Sequence, residues 1–172
     1  ELYGDSGQPC FYFLDGKTLL IETDLKNDPA LCGSFTGVRA THTRAHFTRA
    51  VLEGVCYSLL DSAITLDDIG IEHKKTASLI GGGAKGGIWR QMTADVLGLI
   101  LKTTECSDSS FGSAMLAGIA AGVFPNVKQA VEVCVKLDSV TEPNTKNTEK
   151  YRKVFEEYKK IHDALAPIYS SR

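Results

Sequence analysis

The chain has 172 residues, of which 43% are hydrophobic and 23% charged, and its formal net charge is -2. That length suits one domain with a substantial core, and the even spread of Lys and Arg, with no basic stripe, argues against a nucleic-acid partner. The longest apolar run, over residues 115–124, is broken by Gly118 and Gly122 and is too short to cross a bilayer.

The N-terminus shows no basic stretch followed by an apolar one, so it does not read as a secretory signal. It lacks an initiator Met and reads as part of a longer protein. Residues 1–35 form an irregular, β-rich lead-in. Within it, 11–14 and 18–21 read as short strands around a turn at Asp15-Gly16, and Asn27-Asp28-Pro29 marks a loop.

Residues 36–172 read as the domain proper. From Thr41 the period becomes helical and stays so to about Gly70. Phe47, Val51, Val55, Leu59 and Ala63 form the expected buried stripe, widened by Leu52, Cys56 and Leu60, with Arg49, Glu53 and Asp61 off it. A short strand at 76–80 runs into Gly81-Gly82-Gly83. A helix follows through Trp89, Met92, Val96 and Leu97, with Gly98 as its cap, and then a second strand at 99–104. Ser109-Ser110 is the expected cap of a small-faced helix over 111–123, and another helix begins after Pro125-Asn126. The last helix, 148–168, repeats Tyr151, Val154, Phe155, Tyr158, Ile161 and Leu165. Strands alternating with helices predict an α/β domain with a layered sheet.

Few residues offer chemistry. Cys10, Cys32, Cys56, Cys106 and Cys134 are odd in number and form no C-x-x-C pair, so neither a disulfide framework nor a zinc site is expected. Scattered thiols of this kind suit a reducing cytoplasm. His42 and His46 have the spacing of a zinc-protease helix, but Thr43 stands where the general-base Glu is needed. They are read as polar helix-start residues, and no metal site is assigned. Arg44 and Arg49 could bind an anion or pair with Glu53, and surface pairing is the default reading. Asp95 is read as a helix carboxylate bonded to a neighbouring loop.

The sharpest feature is LIGGGAKGGIW, residues 79–89, in which a strand feeds a glycine run that feeds a helix. Glycines let a ligand approach the backbone, and a helix N-terminus favours phosphate. No P-loop and no G-x-G-x-x-G fingerprint can be drawn through it. On local sequence alone, a bare strand-to-helix connection and a phosphate cradle both stand.

Four ordered segments together resemble the FGGY carbohydrate kinases, most of all the xylulokinases. GSFTGVRATHTRAHFTRAVLEGV (33–55) is similar to the family's H-x-R-A-H-L-x-R-A-V-L-E-G helix start. LIGGGAKGGIWRQMTADVLG (79–98) is similar to G-G-G-A-[KR]-S-x-x-W-R-Q-M-x-A-D. GSAMLAGIAAGVF (112–124) resembles the small-residue helix G-A-A-x-L-A, and 142–169 resembles the closing helix.

The resemblance implies a ribonuclease-H-like, actin-like ATPase fold, a mixed sheet flanked by helices, as the second of two domains. It implies ATP with Mg²⁺, a sugar substrate, and the N-terminal domain of the same kinase as partner; it leaves room for a homodimer. The nucleotide would lie at Gly82, Gly83, Ala84, Lys85 and Gly86. Gly86 departs from the family's usual Ser, and the family's Glu-Arg-x-Pro element before Asp28 is missing. The D-x-G-T hairpin and the G-x-x-D-N motif carrying the catalytic Asp do not occur in these residues. The resemblance therefore implies no catalytic residue in this chain and no phosphoryl transfer by it alone. D-xylulose is the expected sugar; glycerol, ribulose, fuculose and gluconate are the alternatives, with a non-catalytic actin-like binding module as the alternative of another class.

Overall fold

The computed structural model describes residues 12–14, 33–71, 74–106 and 108–170. The strand expected at 18–21 and the loop at 27–29 lie outside these residues. The chain forms two compact units, one of residues 1–73 with 145–172 and the other of residues 74–144. Among the described residues no helix is long and apolar enough to cross a membrane.

In the first unit, strand β1 (Tyr12–Leu14) pairs antiparallel with β2 (Ser34–Thr36), with Phe13 opposite Phe35. Helix α1 (Arg44–Asp68) follows, and Gly70, at φ 85°, closes it as Ile71 N donates to Leu66 O at 2.9 Å. Phe35 of β2 meets Phe47 of α1 edge-on, with ring centroids 5.1 Å apart.

The face of α1 that is buried overlaps the apolar stripe read in the sequence at Cys56 and Leu60 but is otherwise shifted. Ala50, Glu53, Gly54, Cys56, Tyr57 and Leu60 are buried, while Val51, Val55, Leu59 and Ala63 are half-exposed. The helix is rotated so that small residues flank Tyr57. The Tyr57 ring lies 6.2, 6.1 and 5.3 Å from those of Tyr151, Phe155 and Tyr158 on helix α5 (Thr145–Ser170). Aromatic pairs at such spacing add about 0.5–1.5 kcal/mol each beyond area burial.

Glu53 can join the buried face because it is paired there. Arg49 Nε donates to its carboxylate at 2.6 Å, and Arg49 Nη2 donates to Tyr151 Oη at 2.8 Å. The Arg49 and Glu53 side chains are only 16% and 11% exposed, so the surface pairing expected from the sequence is instead a partly buried clamp between α1 and α5. Burial pushes the Glu53 carboxyl above its ordinary value, against the opposing pull of Arg49 and Tyr151.

The second unit is a three-stranded mixed sheet. Strand β3 (Thr76–Ser78) runs parallel to β4 (Ile100–Thr104), which runs antiparallel to β5 (Leu137–Thr141). Helix α2 (Gly87–Leu97) connects the two parallel strands. It lays Ala94 and Leu97 over Ala77, Leu79, Leu99 and Leu101, burying the apolar side of β4 while Lys102 faces outward.

The register of β4 and β5 slips between Thr103 and Thr104. The extra residue there is accommodated by side chains, since Thr103 Oγ1 donates to Asp138 Oδ2 at 2.9 Å and lies 2.7 Å from Ser139 Oγ. Helix α3 (Ser109–Ala120) is capped by Asp108, one residue before the serines read as its cap; Ser110 N donates to Asp108 Oδ1 at 2.8 Å. Helix α4 (Val127–Cys134) starts after Asn126, whose Oδ1 accepts from Gln129 N, so the start read from Pro125-Asn126 holds.

Candidate functional site

The glycine run joins β3 to α2 at the end of the parallel pair. Leu79 N donates to Lys102 O at 2.9 Å, extending the β3–β4 ladder by one bond. The chain then turns at Gly81, whose φ of 87° lies in the left-handed region that favours glycine. Residues 82–85 make one 3-10 turn, held by Ala84 N donating to Gly81 O at 3.2 Å and Gly86 N to Gly83 O at 3.1 Å. Gly86 is extended and serves as N-cap of α2, and Arg90 N donates to its carbonyl at 2.9 Å.

Gly82, Gly83, Ala84, Lys85 and Gly86 therefore share one continuous bend, but they occupy it differently. Gly82, Lys85 and Gly86 are exposed, Ala84 is buried beneath the bend, and Gly83 is half-buried. One face of Gly83 is occupied by the Trp89 ring, which a Cβ at that position would meet at 1.8 Å. A Cβ at Gly81, Gly82 or Gly87 would meet no atom of the described residues within 4 Å.

The α2 N-cap has no side chain to bond the first-turn amides, which in any helix lack intrahelical acceptors. Their partial positive charge adds to that of Lys85. Ile80 and Ile88 flank the bend, each 65% exposed.

Three residues of this region escaped the sequence reading of the site. Gly81 makes the turn, and its place at the head of the glycine run was the available signal. Trp89 and Arg90 support the bend from α2. Arg90 Nη1 donates to Ala84 O at 2.9 Å, and its buried Nε has no hydrogen-bond partner among the described residues.

The other candidates lie outside the bend. Asp95 is buried; its Oδ1 accepts from Gln91 Nε2 at 2.8 Å and from Asn144 N at 2.7 Å. It ties α2 to the loop before α5, the structural part read for it. His42 and His46 stand at the α1 start. Arg39 N donates to His42 Nδ1 at 3.0 Å, and Thr43 N donates to His46 Nδ1 at 3.1 Å. Each imidazole thus serves a backbone amide through Nδ1. Partial desolvation holds His42 below the ordinary imidazole value, and His46 and Arg39 lower it further. Among the described residues no three His, Cys, Asp or Glu side chains gather to hold a metal. Cys106 is an exposed free thiol, and Cys134 a half-buried one.

Residues 6–121 match the model of the FGGY family of carbohydrate kinases, C-terminal domain. The xylulose kinase of Staphylococcus epidermidis is 38% identical over 136 residues, which cover 78% of this chain and 27% of that protein. The chain thus spans about a quarter of the length of this curated relative. The crystal structure of xylulose kinase from Rhodospirillum rubrum superimposes with a TM-score of 0.76 at 26% identity, covering 96% of this chain and 32% of that one. The gluconate kinase of Lactobacillus acidophilus superimposes with a TM-score of 0.72 at 28% identity, covering 84% of this chain and 29% of that one. These neighbours are sugar kinases of the actin-like ATPase fold, and the mixed sheet with its flanking helices has that fold here.

Proposed function

The chain belongs to the FGGY family of carbohydrate kinases, as its C-terminal domain, and from that premise we propose that it holds the adenine nucleotide of an ATP-dependent sugar kinase. The nucleotide would lie over the bend of Gly82, Gly83, Ala84, Lys85 and Gly86, with Ala84 beneath it. The whole kinase moves the γ-phosphoryl of ATP to a hydroxyl of D-xylulose, giving D-xylulose 5-phosphate.

One observation carries this reading: an exposed glycine bend feeding a helix whose N-cap is a glycine, with no atom of the described residues within 4 Å of a Cβ at Gly82 or Gly87. The residues present fit a nucleotide. A glycine bend at a helix N-terminus suits phosphate oxygens, Lys85 adds charge, and Ile80 and Ile88 offer apolar surface to the base. ATP would supply the transferable phosphoryl group, and Mg²⁺ would neutralise the charge that develops on transfer. The work of this chain is positioning: the bend fixes the nucleotide by its backbone, so that little reorganisation is needed as the reaction proceeds.

The carboxylate that takes the sugar proton belongs to the N-terminal domain of the same kinase, the partner of this one. Xylulose is favoured by the Staphylococcus epidermidis relative. The similar fit to a gluconate kinase supports the view that the contacts choosing the sugar lie mainly outside this chain.

Two measurements test the proposal. Calorimetric titration of the chain with MgADP gives saturable heat; no heat at millimolar nucleotide overturns the site. A coupled assay of the chain with ATP and xylulose gives no sugar-dependent ADP, and steady sugar-dependent release overturns the division of labour.

A further inference from the structure

We propose that Arg90 and Trp89 are positioning residues for the nucleotide: together they hold the 82–85 turn in its open shape from the α2 side. The role rests on the nucleotide reading above, and neither side chain need touch the ligand.

Three observations converge on it. Arg90 reaches back six residues to bond the carbonyl of Ala84, the one buried residue of the turn. Its Nε is buried with no hydrogen-bond partner among the described residues, so the guanidinium is held at the bend by its bond to Ala84 O. The Trp89 ring fills the space where Gly83 would carry a side chain, so the turn is backed by a flat, rigid surface. Arg90 N also closes the first turn of α2 on Gly86 O. The bend is thus fixed at Gly83, Ala84 and Gly86, and Gly82 and Lys85 are left outward.

A bend so held presents its amides in one arrangement before the nucleotide arrives. Without the Arg90 bond the turn samples other shapes, and binding bears the cost of ordering it. A hydrogen bond from a charged donor is worth enough to change a dissociation constant by about tenfold or more.

Trp89 is the single tryptophan of the chain, so its emission reports on the bend directly. The test uses this chain, wild type and the variants Arg90→Met and Arg90→Lys, with MgADP titrated by calorimetry and by Trp89 fluorescence. Helicity is followed by circular dichroism. The expected results are a change in Trp89 emission or acrylamide quenching as MgADP saturates the wild type, a Kd raised about tenfold in Arg90→Met at wild-type helicity, and partial recovery in Arg90→Lys.

Wild-type affinity in Arg90→Met overturns the role, and so does loss of its helicity, because Arg90 then serves the fold. MgADP binding that leaves Trp89 emission and quenching unchanged removes Trp89 from the account. A wild-type chain that binds no MgADP overturns the nucleotide reading itself, whereas normal wild-type binding with unaffected variants overturns this inference alone.

Discussion

Replacing Gly83 by Ala tests the packing of the bend through a single methyl group. The added Cβ would stand 1.8 Å from Trp89 Cζ3, 2.3 Å from Cε3 and 2.9 Å from Cη2. Carbon atoms in ordinary contact lie about 3.5–4.0 Å apart, so the ring must retreat by about 2 Å. The methyl cannot yield, being fixed to the backbone, and Trp89 is followed along α2 by Met92 and Thr93, both buried.

Overpacking of this kind costs about 1–3 kcal/mol. At about 2–4 °C per kcal/mol for a chain of this size, Tm falls by about 2–12 °C. Thermal unfolding followed by Trp89 emission measures the loss and the displaced ring together. Gly82→Ala is the control: its Cβ meets no atom of the described residues within 4 Å, and Gly82 is not among the positive-φ glycines. Its stability should stay within about 0.5 kcal/mol of wild type. A Gly83→Ala chain as stable as the control, with unshifted emission, would refute the seating of Trp89 on Gly83.

Phe155→Ala removes a ring that is 1% exposed, stacked on Tyr158 and tilted against Tyr57, so urea unfolding should show a loss of about 3–5 kcal/mol; a loss below about 1 kcal/mol would contradict the aromatic core. Glu53→Gln examines the clamp through pH. Because burial raises the Glu53 carboxyl above its ordinary 4.5, the folded chain holds that proton more tightly than the unfolded one. The stability this adds is complete below the ordinary value and is lost as pH rises through the folded value. Wild type should therefore gain on Glu53→Gln as pH falls from neutral, and a gap that moves the other way would show that the pull of Arg49 outweighs burial.

The helices were legible because their periodicity and their stops are local. Gly70 and Gly98 end α1 and α2 where the sequence placed them, both at positive φ. The buried face of α1 was legible only at Cys56 and Leu60, because apolar counting favours Val51 and Leu59 over Ala50 and Gly54. Small residues gain their place by admitting the rings of α5, and Glu53 by its bonds to Arg49 and Tyr151, partners remote in sequence or polar. Strand β5 escaped for a related reason: Asp138 and Ser139 interrupt its apolar pattern, and only Thr103 on the neighbouring strand makes them acceptable.

At the candidate site the glycine bend was plain in the sequence. Its 3-10 turn was not, and neither was the backing by Trp89 and Arg90, since a glycine run says that the backbone is free without saying what constrains it. Ala84 was assigned to the site with its neighbours, but it is buried, and it contributes its carbonyl to Arg90.

The most direct test is residue-resolved. Amide nitrogen–proton spectra of the chain, recorded through a titration with MgADP, should show the largest shifts clustered at Gly82, Gly83, Ala84, Lys85 and Gly86, saturating together with one Kd. Shifts that leave these five amides in place, or that centre on another element, would contradict the assignment of the nucleotide to this bend.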